Sequence, residues 1–174
     1  METWLEDYDD DINYILPGYD GKLNKRGRGK GTSTYCKGEK FKHETTINHD
    51  GFSLVKITSK NLDIIGVYRS QNGNMVDMVR ELKILQNNNK KTLIGGDFNL
   101  CWLKQPNNYV TKSLTEIGFQ QIVTDATHID GGAIDHIYLS QDCSSLEWRL
   151  ELCPKYYSDH DGLYLTVWKT CGAH

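Results

Sequence analysis

The 174-residue sequence lacks any apolar run near the ~20 residues that a membrane-spanning helix needs, which predicts no contact with a membrane. Its first dozen residues are acidic rather than basic and then apolar, so they do not match a secretory signal peptide. No two of the five cysteines form a Cys-x-x-Cys pair, and their number is odd. These absences argue against a cysteine zinc site or a disulfide framework. The sequence alone does not decide whether Cys143 and Cys153 form a single disulfide. The same absences predict reduced thiols and an intracellular protein, nuclear or cytoplasmic.

Internal repeats, low-complexity tracts and a strong net charge are also absent; the formal net charge is −3. The length and a hydrophobic content of 38% predict a single domain over residues 1–174. A nucleic acid would therefore have to meet a local basic patch. The dense basic segment 22–31 holds Arg26, Arg28 and Lys30 among glycines, and its cations and amides suit a phosphate chain. A flexible, solvated loop is the alternative.

Short runs rich in Thr, Ile, Val and aromatic residues, separated by turn residues, predict a four-stranded antiparallel meander. These strands are expected at residues 32–37, 42–48, 52–58 and 62–68. Apolar residues spaced by three and four predict two helices, at 75–85 and 108–117, the first capped at residues 72–74 and the second stopped by Gly118. Further strands are predicted at residues 92–99, 133–140, 146–152 and 162–169.

Three polar clusters stand at the ends of predicted strands. In Gly-Asp-Phe-Asn, the two-residue spacing of Asp97 and Asn99 points both side chains to one side of a strand end. A carboxylate beside a carboxamide is suited to holding an attacking water and a phosphate oxygen. A second cluster places Asp135 within an apolar strand, and Ser-Asp-His-Asp places His160 before the last strand. Because a buried acid needs a partner, we expect Asp135 and His160 to pair. Any one cluster could be an ordinary turn, but three together favour a site.

The order of these motifs resembles the endonuclease/exonuclease/phosphatase superfamily. The matching stretches are Glu2-Thr3-Trp4-Leu5, Arg26-Gly27-Arg28-Gly29-Lys30-Gly31, Val67-Tyr68-Arg69, Gly96-Asp97-Phe98-Asn99, Ile134-Asp135-His136-Ile137 and Ser158-Asp159-His160-Asp161. The Thr-His-Ile-Asp-Gly-Gly motif at residues 127–132 most resembles the endonuclease domains of mobile genetic elements. The resemblance implies a DNase I-like fold, a four-layer α/β/β/α sandwich with its site at one edge of two packed sheets.

The resemblance also implies a role for each matching residue. Glu2 corresponds to the metal-binding glutamate, and Asp159 to an acid that sometimes binds metal. The metal implied is Mg²⁺ or Mn²⁺. Asp97 corresponds to the residue that orients or deprotonates the attacking water, and Asn99 to its neighbour on the phosphate.

The remaining roles concern the scissile phosphate and the DNA backbone. His160 corresponds to the catalytic histidine that contacts the phosphate, and Asp135 to the acid that orients it. Tyr68 corresponds to the tyrosine whose hydroxyl reaches the phosphate, and Arg69 to a contact with the backbone.

The sequence departs from the superfamily pattern at its start. Superfamily members begin with a strand whose Asn helps hold the metal, whereas this sequence starts at Met1-Glu2. We therefore expect either a fragment of a longer reading frame or an N-terminally shortened domain with altered activity, in both cases with an open strand edge beside the site. A second copy of the chain is expected to fill this edge, giving a homodimer.

These features favour a Mg²⁺- or Mn²⁺-dependent phosphodiesterase that cleaves DNA as an endonuclease, by in-line attack of water. The sequence leaves RNA open as a substrate. The first alternative is a catalytically weakened domain that binds nucleic acid or protein. A phosphatase for small phosphate esters is the second, because the same core serves those substrates.

Overall fold

The computed structural model describes residues 16–25, 31–38, 40–86 and 89–169. Within these ranges the elements are β1 Asp20–Lys25, β2 Gly31–Cys36, β3 Lys42–His49, β4 Phe52–Thr58, β5 Leu62–Arg69, α1 Met75–Leu85, β6 Lys91–Asp97, α2 Tyr109–Thr115, β7 Phe119–Gln121, β8 Asp135–Ser140, β9 Leu146–Cys153 and β10 Gly162–Lys169. Neither of these helices is long and apolar enough to cross a membrane.

Six of the strands form the central sheet, in the order β3-β4-β5-β6-β8-β7. The pair β5–β6 is parallel, because α1 carries the chain back across the sheet, and its neighbours are antiparallel. The predicted meander is therefore correct for three strands and wrong for the first. That strand, β2, pairs with β1, which sequence reasoning missed because Asp20–Lys25 has no β-branched residue.

The two helices pack on one face of the central sheet. Asn74 caps α1 by accepting hydrogen bonds from the backbone of Val76 and Asp77, as its position before the apolar stripe predicts. The stripe of α1 and the inner face of α2 enclose the larger core. Its buried members are Phe52, Leu54, Ile65, Val67, Met78, Val79, Leu82, Ile94, Phe98, Val110, Leu114, Phe119 and Tyr138. Both predicted helices are thus confirmed, with α2 shorter than expected.

The opposite face of the sheet carries two separate strand pairs. The β1–β2 hairpin lies over β4 and β5, where the Thr32 and Ser53 hydroxyls are 3.0 Å apart. The β9–β10 ribbon lies over β6 and β8, through a smaller core of Ile122, Val123, Ile137, Leu139 and Cys143, against which Leu93, Leu146, Leu150, Leu163 and Leu165 pack. Among the described residues, β10 pairs with β9 alone, so its other edge is open there.

The cysteines within the described ranges are free thiols. Cys143 is buried in the smaller core and Cys153 is half-buried at the end of β9, and neither forms a disulfide. Cys36 and Cys101 are also free. The bridge that the sequence left open between Cys143 and Cys153 is therefore not formed.

Candidate active site

Three of the predicted site residues lie in one row across the central sheet. Tyr68 on β5 is the register partner of Asp97 on β6, which in turn pairs with Asp135 on β8. Side chains alternate between the faces of a strand, so Asp97 shares a face with Leu93, and Asp135 with Ile137. Those two apolar residues belong to the smaller core under the β9–β10 ribbon. The row therefore lies on the strand-pair face, at one end of the sheet.

Gly96 allows the two central strands of this row to approach each other. Its φ is +146°, and a Cβ atom there would lie 2.0 Å from the carbonyl oxygen of Val67. Backbone cannot yield by that much, so only glycine fits at this position. Close packing of β6 against β5 therefore explains why a glycine precedes Asp97.

Asn99 holds the carboxylate of Asp97 by two hydrogen bonds. Its backbone N–H donates to Asp97 Oδ1 at 2.7 Å, and its Nδ2 donates to Asp97 Oδ2 at 3.0 Å. The same Nδ2 donates to the carbonyl of Arg69 at 2.7 Å. The predicted strand over 92–99 is too long, because β6 ends at Asp97 and Asn99 has a left-handed φ of 48°. Asn99 is thus placed to orient the carboxylate of Asp97.

Asp135 and His160 pair as the sequence predicts. His160 Nδ1 lies 2.9 Å from Asp135 Oδ2, and Thr127 Oγ1 donates to the same oxygen at 2.7 Å. The Thr127 hydroxyl oxygen also accepts from the backbone N–H of Asp135 at 3.2 Å, which fixes the carboxylate from both sides. A carboxylate at Nδ1 favours the proton on that nitrogen and leaves Nε2 to meet a ligand.

The acids around His160 raise the pKa of its imidazole. Burial acts in the opposite direction and lowers this pKa, but the hydrogen bond to Asp135 and the charges of Asp135, Asp97 and Asp159 outweigh it. A raised pKa keeps the imidazole protonated over more of the neutral range. A cationic His160 is suited to an anionic phosphate.

His128 is a member of this site that sequence reasoning missed. It forms an isolated antiparallel bridge with His160, and the two rings meet edge to face with centroids 4.9 Å apart. His128 Nε2 is also 3.5 Å from Asp159 Oδ2. The available signal was the Thr-His-Ile-Asp-Gly-Gly motif, whose histidine received no role because the bridge joins residues 32 apart in sequence.

His136, next to Asp135, is buried and holds the loop that carries Asn99. Its Nε2 lies 2.8 Å from the carbonyl oxygen of Leu100, its Nδ1 lies 2.9 Å from the hydroxyl of Tyr138, and its ring stacks on Phe98. Burial lowers the pKa of His136, so the ring is neutral. His136 therefore has a structural role and does not face the site.

The predicted residues for binding nucleic acid are placed differently. Arg69 is 3% exposed, and its Nη1 donates to the carbonyls of Ser70 and Gln71. Burial lowers the pKa of Arg69, with the charge of Asp97 acting in the opposite direction. A buried guanidinium whose Nη1 donates to the loop after β5 does not fit the expected contact with a DNA backbone. Glu2, Arg26, Arg28 and Lys30 lie outside the described residues.

The donor chemistry of the site fits a divalent cation. Asp97 and Asp159 both lie close enough to His160 to raise its pKa, and Asp159 has 66% of its side chain exposed. One donor atom from each of His128, Asp159 and His160 lies within 4.8 Å of the others. Mg²⁺ takes one or two protein carboxylates and keeps several waters, which an exposed acid at the edge of a site allows.

No protein-family model matches the chain, and no curated protein matches it. Solved structures do share its fold. The 3′ phosphatase NExo from Neisseria, bound to a product DNA hairpin, aligns with a TM-score of 0.67 and 13% identity, over 97% of this chain and 86% of that one. The endonuclease domain of TRAS1, a telomere-specific non-LTR retrotransposon, aligns with a TM-score of 0.62 and 15% identity, over 88% and 80% of the two chains.

The human Nocturnin catalytic domain, with a bound sulfate anion, has a TM-score of 0.58 and 15% identity, over 86% of this chain and 72% of that one. A Bacteroides thetaiotaomicron protein of the endonuclease/exonuclease/phosphatase family also matches, with a TM-score of 0.54. At these identities the likeness concerns the fold alone, and it agrees with the mixed central sheet and its helical layer. The chain has the DNase I-like fold of the endonuclease/exonuclease/phosphatase superfamily.

Proposed function

We propose that the chain is a divalent-metal-dependent phosphodiesterase that acts on DNA as an endonuclease. The observation that carries this proposal is the pair of Asp135 and His160, standing one strand away from the Asp97 carboxylate. An imidazole oriented by an acid and a second, separately oriented carboxylate are the two groups that hydrolysis of a phosphodiester by water needs.

Each described residue has a separate part in the proposed reaction. Asp97, held by Asn99, accepts the proton of the attacking water. His160, held by Asp135, directs Nε2 at the phosphate and stabilises the charge that develops on its oxygens. Tyr68, the member of the row next to Asp97, contributes its hydroxyl to binding the phosphate. When bound, Mg²⁺ or Mn²⁺ supplies positive charge to the phosphoryl group, and Glu2 and Asp159 are the residues proposed to hold it.

Incubation with supercoiled plasmid tests the proposal. The purified chain should convert the plasmid to nicked circles in Mg²⁺ or Mn²⁺ and should leave it intact in excess chelator. DNA binding without nicking would favour the weakened, non-catalytic domain. Release of phosphate from small esters, with the plasmid left intact, would favour the phosphatase. Either result would overturn the endonuclease proposal.

The β1–β2 hairpin offers a second contact for DNA. The basic segment with Arg26, Arg28 and Lys30 lies between these two strands in sequence. The hairpin packs beside the site row, because Thr32 at the start of β2 contacts Ser53, the register partner of Tyr68. This placement supports the proposal that the basic segment binds phosphates next to the site.

Replacing Arg26, Arg28 and Lys30 by glutamine together should reduce the salt dependence of DNA affinity. Each lost phosphate contact lowers the slope of log affinity against log salt by about 0.9, so the slope should fall by roughly 2–3. Binding titrations at several salt concentrations measure this. The matched control neutralises three exposed lysines elsewhere, Lys60, Lys83 and Lys112. Equal slopes for the wild type and the basic-segment variant would contradict this prediction and favour a solvated loop that does not contact DNA.

One edge of β10 pairs with no strand in the part of the chain that the structure describes, which supports the proposal of a homodimer. An unpaired strand edge offers a row of backbone donors and acceptors to another strand. Tyr164 and Trp168, on the outer face of β10, are exposed and would lie at such a junction. A two-fold pairing of β10 with its counterpart should give a dimer that forms with rising concentration. Sedimentation over a concentration series measures this, and a monomer at every concentration would contradict it.

A further inference from the structure

A cluster of three possible metal ligands contains one residue that the proposed reaction does not use. Its members are His128, Asp159 and His160. His128 has no role in that reaction, yet its ring lies against His160 and its Nε2 is 3.5 Å from Asp159 Oδ2. Backbone hydrogen bonds lock the two segments together, from Ile129 N to Asp159 O and from Asp161 N to Thr127 O, both at 2.8 Å. The cluster is thus held by the fold rather than by chance side-chain positions.

Each of the two imidazoles has a carboxylate on its Nδ1 side. Asp135 lies 2.9 Å from Nδ1 of His160, and Asp130 Oδ2 lies 3.5 Å from Nδ1 of His128. A histidine that binds a metal through Nε2 usually donates its other N–H to such an outer carboxylate. In His128 this requires the ring proton on Nδ1, so the bond from the backbone N–H of Asp130, at 3.2 Å, is exchanged for one to the Asp130 carboxylate.

We propose that His128, Asp159 and His160 bind a zinc-class transition-metal ion, and that this ion inhibits the site. Two imidazoles and one carboxylate form a three-ligand zinc set with a fourth position open to water. Imidazole suits Zn²⁺, Cu²⁺ and Ni²⁺, whereas Mg²⁺ prefers oxygen ligands. The inhibition rests on the proposed function, because it follows from taking Nε2 of His160 away from the phosphate and Asp159 away from the activating cation.

The geometry needs only a small adjustment to close on an ion. Tetrahedral ligands at zinc bond lengths are roughly 3.4 Å from one another. The pair His128 Nε2 and Asp159 Oδ2 is already at 3.5 Å, and one donor atom from each of the three residues lies within 4.8 Å of the others, so a turn of the His160 ring and of the Asp159 carboxylate closes the set. Asp159 is largely exposed, so its carboxylate can turn toward the ion without disturbing the core.

Zinc titration of the full chain, in a phosphine reductant, tests the site without an activity assay. Zn²⁺ affinity is measured by competition with a chromophoric chelator, and the ring protons of His128 and His160 are followed by NMR. His128→Asn removes the imidazole and keeps an oxygen that can accept the Asp130 N–H. Losing this ligand should weaken zinc binding by at least about 10-fold, the lower end of what loss of an outer partner costs.

The matched control is His49→Asn. His49 is another partly exposed histidine near an acid, with Nε2 3.9 Å from Glu81, but it lies outside the cluster. Its replacement should leave zinc affinity unchanged. Asp159→Asn provides a second variant at an exposed position if His128→Asn fails to fold, and it should weaken zinc binding in the same way.

Wild-type affinity in His128→Asn and in Asp159→Asn, or ring signals of His160 that do not move with zinc, would overturn the site. Inhibition is read separately, as the zinc concentration that halves plasmid nicking. That concentration should rise at least about 10-fold in His128→Asn, in parallel with the affinity. If the chain binds zinc through His128 but never cuts DNA, the proposed function fails and the metal site stands.

Discussion

Replacing Asp97 or His160 by alanine should lower the rate of metal-dependent plasmid nicking by about 10²–10³. This range corresponds to about 2.7–4 kcal/mol of lost transition-state stabilisation, as for the removal of one group that supports a developing oxyanion. The reasons differ between the two variants. Asp97→Ala removes the carboxylate that Asn99 orients, and His160→Ala removes the imidazole that Asp135 orients. Glu2→Gln should have a similar effect if Glu2 holds the cation.

The control for these variants is Asp142→Asn. Asp142 is an exposed acid in the turn after β8, at the opposite end of that strand from Asp135. The Asp142→Asn protein should nick plasmid at the wild-type rate. Thermal unfolding of every variant checks that the fold is intact. Folded Asp97→Ala and His160→Ala proteins with wild-type nicking rates would refute the assigned site.

Replacing Asp63 by alanine should destabilise the fold by about 3–5 kcal/mol, the range for removing one partner of a buried ion pair. Asp63 is fully buried at the start of β5. Its carboxylate lies 3.0 Å from Lys56 Nζ and 3.3 Å from Lys90 Nζ. Lys56 is itself buried, with 6% of its side chain exposed, so the variant leaves inside the fold a cation whose remaining partner is the more exposed Glu44, 3.1 Å away. Urea unfolding at neutral pH measures the loss.

A double variant separates the charge effect from loss of packing. Lys56→Met with Asp63→Leu replaces the two buried charges by apolar groups and leaves the partly exposed Lys90, a change that is often neutral or stabilising for a buried pair. We therefore expect the double variant to recover most of the stability that Asp63→Ala loses. A double variant as unstable as the single one would show that the cost comes from packing at this end of the sheet.

The same cluster predicts how stability depends on pH. Burial raises the pKa of Asp63, but hydrogen bonds from Thr58 and Lys56, the charge of Lys56 and a hydrogen bond from Lys90 outweigh it and lower the pKa below 3.8. A carboxyl whose pKa is lowered by folding stabilises the folded state above its unfolded pKa of about 3.9. This contribution is lost as the pH falls through the lower, folded pKa. Stability of the double variant should accordingly fall less steeply than that of the wild type below about pH 4.

The local sequence pattern was sufficient to predict those helices and strands whose apolar spacing and end residues lie within the element itself. The stripe of α1 and the Asn74 cap lie within a few residues of each other, and β10 has the bounds predicted for it, residues 162–169. The Asp135–His160 pair could also be predicted, because a buried carboxylate needs a hydrogen-bond donor and a histidine near it can supply one. A buried acid and a histidine at strand ends have few other partners.

Pairing between distant segments could not be predicted in the same way. The hairpin of β2 with β1 depends on a polar strand that has no hydrophobic alternation, and nothing local distinguishes it from a loop. The contact of His128 with His160 depends on backbone bonds between two loops. The position of Asn99 depends on β6 ending two residues early. In the first two cases the decisive contacts join segments that are distant in sequence, so the residues beside β1 or beside His128 do not determine them.

The order of the strands along the chain sets when a nascent chain acquires its site. Tyr68, Asp97 and Asp135 belong to the central sheet, whose last strand ends at residue 140, whereas His160 arrives with the ribbon that follows. During synthesis the sheet and its helical layer can therefore form while the imidazole is still to be translated. A ribosome-bound chain that stops before β9 has the three-residue row and lacks the histidine. Under the proposed function, a newly made molecule gains the ability to cut DNA after the sheet that supports the site has been completed.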